Sequence, residues 1–189
     1  MASTQGPIAD PVTTYARSKA LAFQATKRFI EESRPGFDVI NILPAAVIGR
    51  DDIVADISAI SKGTNCFVLK PRMGYATNVP LAGSSVHMED IAKLHVLASN
   101  PEVPRNFNYL ASGANDTSVK WSDVFAIVKK QYPQQYSKGI FKFDKVPATV
   151  TVPSKISTTL TTRTFGIQFE TFEEQVISVV DQYLDFFDM

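Results

Sequence analysis

From Thr13 or Thr14 onward, apolar positions recur at helical spacing. At 100° per residue Tyr15, Lys19, Ala22, Phe23, Thr26, Phe29 and Ile30 share one face, while Arg17, Gln24, Arg28 and Glu31 point away. A threonine hydroxyl can cap this helix. It should close near Ser33, because Arg34 precedes Pro35 and Gly36 follows. The apolar run 37–43 reads as a buried strand that enters a turn at Pro44. Residues 51–61 suggest a helix with Ile53, Ile57 and Ile60 as its stripe and Gly63 as its stop. Residues 70–83 read as irregular, 84–88 as a short extended piece, and 89–98 as a helix with Ile91, Leu94, Val96 and Leu97 inward. A short strand is expected at 107–110, a helix at 121–132, and mixed, loop-rich chain over 136–151. The clearest helix is 171–187, where Phe172, Val176, Val179, Val180, Tyr183, Leu184 and Phe187 keep the 3–4 spacing behind a Thr171 cap.

Strands alternating with helices imply an α/β fold. The 189 residues, 44% of them hydrophobic, suit one domain with a real core. The expected organisation is an irregular arm over 1–12, carrying Gly6, Pro7 and Pro11, followed by a single α/β domain over 13–189. A net charge of zero gives no reason to expect nucleic acid or an anionic membrane as a partner. Cys66 is the only cysteine, so an internal disulfide and a multi-cysteine metal site are excluded, and no metal is expected. The first residues lack the charged and apolar regions of a secretory signal, and no apolar run approaches the roughly 18 residues of a membrane span. A cytoplasmic protein is the expectation.

The candidate chemistry sits at the start of the first helix. Tyr15 and Lys19 are four residues apart and therefore neighbours on the helix surface. A nearby ammonium favours the phenolate, so Lys19 can lower the Tyr15 pKa. A phenol tuned in this way can give a proton to a developing alkoxide or take one back. Taken alone, the same spacing describes an interface tyrosine beside a solvated lysine.

Four ordered segments add context: Tyr15-Ala16-Arg17-Ser18-Lys19-Ala20; the strand continuing as Asn41-Ile42-Leu43-Pro44-Ala45-Ala46-Val47-Ile48-Gly49; Val86-His87-Met88-Glu89-Asp90-Ile91-Ala92; and Ser154-Lys155 with Thr164-Phe165-Gly166-Ile167-Gln168-Phe169 before the last helix. Together they resemble the C-terminal half of the extended short-chain dehydrogenase/reductases, in the branch with dihydroflavonol, cinnamoyl-CoA and methylglyoxal reductases. The resemblance implies a truncated, Rossmann-like α/β fold. It implies that Tyr15 is the catalytic acid/base, and that Lys19 lowers its pKa and contacts the nicotinamide ribose. Pro44 matches the proline whose loop borders the nicotinamide, although Leu43 stands where the family usually has asparagine. His87 and Asp90 would lie beside that region, and a strand-end histidine and a helix-cap carboxylate describe them equally well.

The family's glycine-rich loop and catalytic serine or threonine precede its tyrosine. No G-x-G-x-x-G pattern occurs among the nine glycines here. The expectation is therefore no cofactor for this chain alone, and NADP or NAD once the missing half is supplied. The substrate is expected to be a small hydrophobic molecule, with Phe67, Met73 and Tyr75 lining its pocket, although aromatics at such spacings also build cores. Three functions follow. The chain is a secondary-metabolite enzyme of carbonyl-reductase descent, a cofactor-independent isomerase, dehydratase or cyclase, or a non-catalytic scaffold. Apolar faces left open by the absent half predict a homodimer or a partner polypeptide over the exposed sheet.

Overall fold

The computed structural model describes residues 11–74, 79–143 and 146–187. Most of the expected arm lies outside the described residues. Contacts gather the chain into two compact units, Met1–Val39 and Ile40–Met189.

The first unit is built on α1, Pro11–Ser33. It starts slightly before the expected threonines, with a proline in its first turn, where a missing N–H costs nothing. It ends as expected: Arg34 turns left-handed at φ 43° and donates its N–H to the Ile30 carbonyl at 3.2 Å. The Phe29 and Phe37 rings then stack with centroids 6.2 Å apart.

The second unit contains three parallel strand pairs. β1 (Asn41–Pro44) pairs with β5 (Asn108–Ala111), β2 (Ala46–Ile48) with β4 (Ser85–His87), and β3 (Leu81–Ala82) with β6 (Thr151–Val152). The chain changes partner at Pro44. Ala45 still donates to the Ala111 carbonyl at 2.9 Å, and the next residues run along β4 instead. Proline has no N–H for a ladder, so the switch falls where pairing is weakest.

The helices of this unit are α2 (Ile57–Ile60), α3 (Cys66–Arg72), α4 (Met88–Ala98), α5 (Asp123–Gln131), α6 (Pro133–Ser137), α7 (Thr159–Phe165) and α8 (Phe172–Asp185). The larger core joins α3, α5 and α8, with Trp121, Val128, Val176, Val179 and Val180 buried. A smaller one holds Val86, Leu94, Ala111 and Ile167. α8 starts with a capping box in which the Thr171 hydroxyl accepts the Glu174 N–H and the Glu174 carboxylate accepts the Thr171 N–H.

Several expectations need correction. The helix over 51–61 shrinks to α2, capped by Asp56, whose side chain accepts the Ser58 and Ala59 N–H groups. Residues before it are turned, because Asp51 Oδ1 accepts the Ile53 N–H at 3.2 Å, and Ile53 is 93% exposed rather than part of a buried stripe. α3 replaces the first part of the irregular stretch despite Pro71 in its last turn. Val96 of α4 faces solvent. α7 was not anticipated. It ends at Gly166, which is left-handed at φ 62°. Among the described residues no helix is long and apolar enough to cross a membrane.

Candidate active site

Tyr15 and Lys19 lie on successive turns near the start of α1, and both are exposed. The Lys19 ammonium stands 5.4 Å from the Tyr15 ring centroid. The cation therefore faces the Tyr15 ring at the distance of a cation–π contact. Ser18 Oγ donates to the Tyr15 carbonyl at 2.8 Å, so the serine between them is spent on the helix backbone.

In the second unit Pro44 is the exposed last residue of β1. Phe67 is half-buried and packs edge-on against Trp121, with centroids 5.5 Å apart, as part of the larger core. Met73 caps the C-terminus of α3 through its backbone. Neither lines the clefts described below. Tyr75 lies outside the described residues.

Sequence reasoning missed a cleft of about 360 Å³ at the carboxyl ends of β2 and β4. That is where parallel α/β sheets present their ligand crevices. Arg50 follows β2 and His87 ends β4. α8 supplies Glu174, Ile177, Ser178 and Asp181, and Glu170 completes the lining. His87 Nε2 lies 2.9 Å from Ser178 Oγ, and the Arg50 N–H donates to the same oxygen at 3.0 Å. A Cβ on Gly49 would meet His87 Cδ2 and Nε2 at 2.8 Å, so the bare backbone of Gly49, at φ 145°, is what admits the imidazole.

The charges around this cleft are organised. Arg50 turns its guanidinium to Asp185 at 2.7 Å and Asp52 at 3.1 Å, on the side of a second cleft of about 490 Å³. Glu170 has its pKa pushed up, first by desolvation and then by the Glu174 carboxylate. Glu174 is pulled the other way by hydrogen bonds from Thr171. Asp90 accepts the Glu170 N–H at 2.9 Å and ties α4 to the start of α8, while its burial raises its pKa. His87 ends its strand as expected, whereas Asp90 is not a helix cap: it lies in the first turn of α4 and its carboxylate accepts the distant Glu170 N–H instead. Among the described residues no cluster of three or more histidine, cysteine or acidic side chains could hold a metal ion.

Similarity to known proteins follows the same outline. Ketoreductase CTB6 of Cercospora beticola is 28% identical over 180 residues, covering 95% of this chain and 50% of the relative. Ketoreductase sphI of Aspergillus fumigatus is 27% identical over 189 residues, covering 98% and 53%. The NADPH complex of Gre2 from Candida albicans superposes with a TM-score of 0.75 at 19% identity, covering 95% of this chain and 53% of Gre2. The chain is a homologue of the ketoreductases and NAD-dependent epimerase/dehydratases. The Gre2 likeness shows the fold as Rossmann-like α/β, matched over about half of the Gre2 chain. No protein-family model matches it. The chain spans about half the length of the curated relatives it matches.

The assignment of Tyr15 and Lys19, in the first unit, and of Pro44, in the second, to the nicotinamide end of a cofactor remains an expectation of the family resemblance. Among the described residues the glycines at positive φ are Gly49, Gly63, Gly74, Gly139 and Gly166.

Proposed function

We propose that this chain is the acid/base and substrate-side half of a cytoplasmic NAD(P)H-dependent carbonyl reductase of secondary metabolism. The observation that carries the reading is the Lys19 ammonium over the Tyr15 ring, in a chain whose ketoreductase relatives align across nearly all of it. A nicotinamide cofactor, held by the complementary half, would supply the hydride that the carbonyl carbon takes up. Tyr15 O–H gives its proton to the oxygen, with the Lys19 ammonium beside the ring. The substrate is a small, largely hydrophobic ketone. The outer edge of β1 pairs with no other strand among the described residues, and on the β5 side of the pair Phe107 and Leu110 are more than 40% exposed. Both features support a partner polypeptide or second copy that covers the sheet and brings the glycine-rich half.

The test is NADPH consumption with a β-keto ester. It is measured for the chain alone and for the chain mixed with a separately expressed glycine-rich half of a ketoreductase. Turnover should appear in the mixture, and Tyr15→Phe should reduce it by about 10²–10⁴-fold. Full turnover by Tyr15→Phe overturns the assignment. Conversion of substrate without NADPH by the chain alone would point to cofactor-independent proton transfer instead, and tight association without any turnover to a scaffold.

A further inference from the structure

One face of α8 carries an ordered pattern that the reductase reading leaves unused. Glu174, Ile177, Ser178 and Asp181 recur at helical spacing and form a single stripe. All four line the cleft of about 360 Å³ at the carboxyl ends of β2 and β4. Along the stripe a charge, an apolar group and a second charge follow one another. Glu174 and Asp181 are two turns apart, which is about 10 Å of helix, and Ile177 lies between them.

The first carboxylate is doubled. Glu170 lines the same cleft and comes close enough to Glu174 to hydrogen-bond it. Desolvation first, and that neighbour second, push the Glu170 pKa up. None of Glu170, Glu174 and Asp181 is ion-paired among the described residues. Arg50 also lines the cleft, but its guanidinium is committed to Asp185 and Asp52. Asp181 Oδ1 accepts the Tyr132 hydroxyl at 2.6 Å, which fixes the carboxylate without neutralising it.

His87 supplies an independent sign. It lines the cleft although it is only 7% exposed, and its Nε2 lies 2.9 Å from Ser178 Oγ. Its Nδ1 has no hydrogen-bond partner among the described residues. The imidazole acts electrostatically on both Glu170 and Glu174, so it stands beside the doubled end. A buried polar group left unpaired at the wall of a cleft marks a site that a hydrogen-bonding ligand completes.

Carboxylates gathered without a cation of their own call for one from outside. Among the described residues no cluster of three or more histidine, cysteine or acidic side chains could hold a metal ion. An ammonium group carries three rotatable donors and suits such an end. The second carboxylate two turns on, with Ile177 between, calls for a second ammonium joined to the first by methylenes.

We propose that this cleft binds a linear aliphatic diamine lying along α8. One ammonium sits between Glu170 and Glu174, the methylene chain crosses Ile177, and the other ammonium meets Asp181. The site belongs wholly to the second unit and is independent of Tyr15 and Lys19.

Titration calorimetry of the 189-residue chain at neutral pH and fixed ionic strength tests this, with diaminooctane, diaminopropane and octylamine as probes. Diaminopropane has both charges without the reach, and octylamine has the reach with one charge. Diaminooctane should bind saturably and several-fold more tightly than either. Asp181→Asn keeps an acceptor for Tyr132 and removes the charge, so it should lower diaminooctane to the affinity of octylamine. Glu174→Gln keeps a side chain able to cap α8 and should weaken both long amines. Glu102→Gln removes an exposed carboxylate outside the cleft and should change neither. Equal affinity of the wild-type chain for diaminooctane and octylamine overturns the proposal, as does the absence of saturable binding. An equal loss in Glu102→Gln overturns it too, since the attraction would then be one of overall charge. The comparison of the three probes needs no variant, so it decides the matter even where a substitution unfolds the chain.

Discussion

Ser178 Oγ on α8 lies 2.9 Å from His87 Nε2 at the end of β4, and it also accepts the Arg50 N–H at 3.0 Å. One hydroxyl therefore fastens the last long helix to the carboxyl ends of two parallel strands. The other ring nitrogen of His87 has no partner among the described residues, so Ser178 carries all the polar satisfaction the imidazole has. Ser178→Ala should leave a backbone N–H and a buried ring unpaired. The expected loss is about 1–3 kcal/mol, read from the urea midpoint with an unchanged slope. A midpoint within error of wild type would show that water replaces the hydroxyl.

The loop between β2 and α2 is held by two side-chain amides that imitate strand pairing. Asn65 accepts the Gly49 N–H at 3.0 Å and donates to its carbonyl at 2.7 Å. Gln182 does the same for Asp51, at 2.9 and 2.7 Å. Both amides are nearly fully buried. Asn65→Ala and Gln182→Ala should each cost about 2–3 kcal/mol. Because both hold the same short loop, the double variant should lose less than the sum of the two, as a double-mutant cycle would read. Strict additivity would mean the two ends of the loop move independently.

How much of this was legible in the sequence depends on where each element's partners lie. α8 was readable except at its last turn, where the helix stops at Asp185 and Phe187 is exposed, since its apolar stripe and its Thr171–Glu174 cap are both local patterns. The Tyr15–Lys19 pair was legible for the same reason: four residues on a helix fix a distance. The turned chain at 51–56 was not, because what bends it is Gln182, 131 residues away, together with a local aspartate turn that competes with helix. The cleft was illegible as well. Its walls come from the ends of two strands, the segment at Glu170 and one helix face, and only the fold brings Arg50 and Ser178 within hydrogen-bond reach across 128 residues. Arg72 read as a basic residue in an irregular stretch. Its burial follows from α3, which Pro71 argued against.

Gly113 is required by close approach. A Cβ there would stand 2.3 Å from Gln175 Nε2 and 2.4 Å from the Glu170 carbonyl oxygen. Those two groups are already bonded to each other at 2.8 Å, so neither can retreat alone. Gly113→Ala should destabilise the second unit by about 1–3 kcal/mol through overpacking. Adding Gln175→Ala should recover only part of the loss, because the clash with backbone remains. Full recovery in the double variant would place the constraint entirely on the glutamine side chain.

Tyr132 gives the second unit a signature at alkaline pH. Its ring is buried and its hydroxyl donates to Asp181 Oδ1 at 2.6 Å. Desolvation first, and the neighbouring carboxylate second, push its pKa far above the ordinary value of 10.0. In the unfolded chain the phenol ionises near that ordinary value, of about 10. Above it the unfolded state sheds a proton that the folded state keeps, so stability falls as pH rises. The contribution is complete below about pH 10 and is lost progressively above it. Tyr132→Phe should cost about 1 kcal/mol at neutral pH through the missing hydrogen bond, and should flatten the alkaline decline. Denaturant midpoints for the two proteins should therefore converge between about pH 9 and 11. Parallel curves across that window would mean that Tyr132 titrates alike in both states and that its enclosure against α8 opens freely.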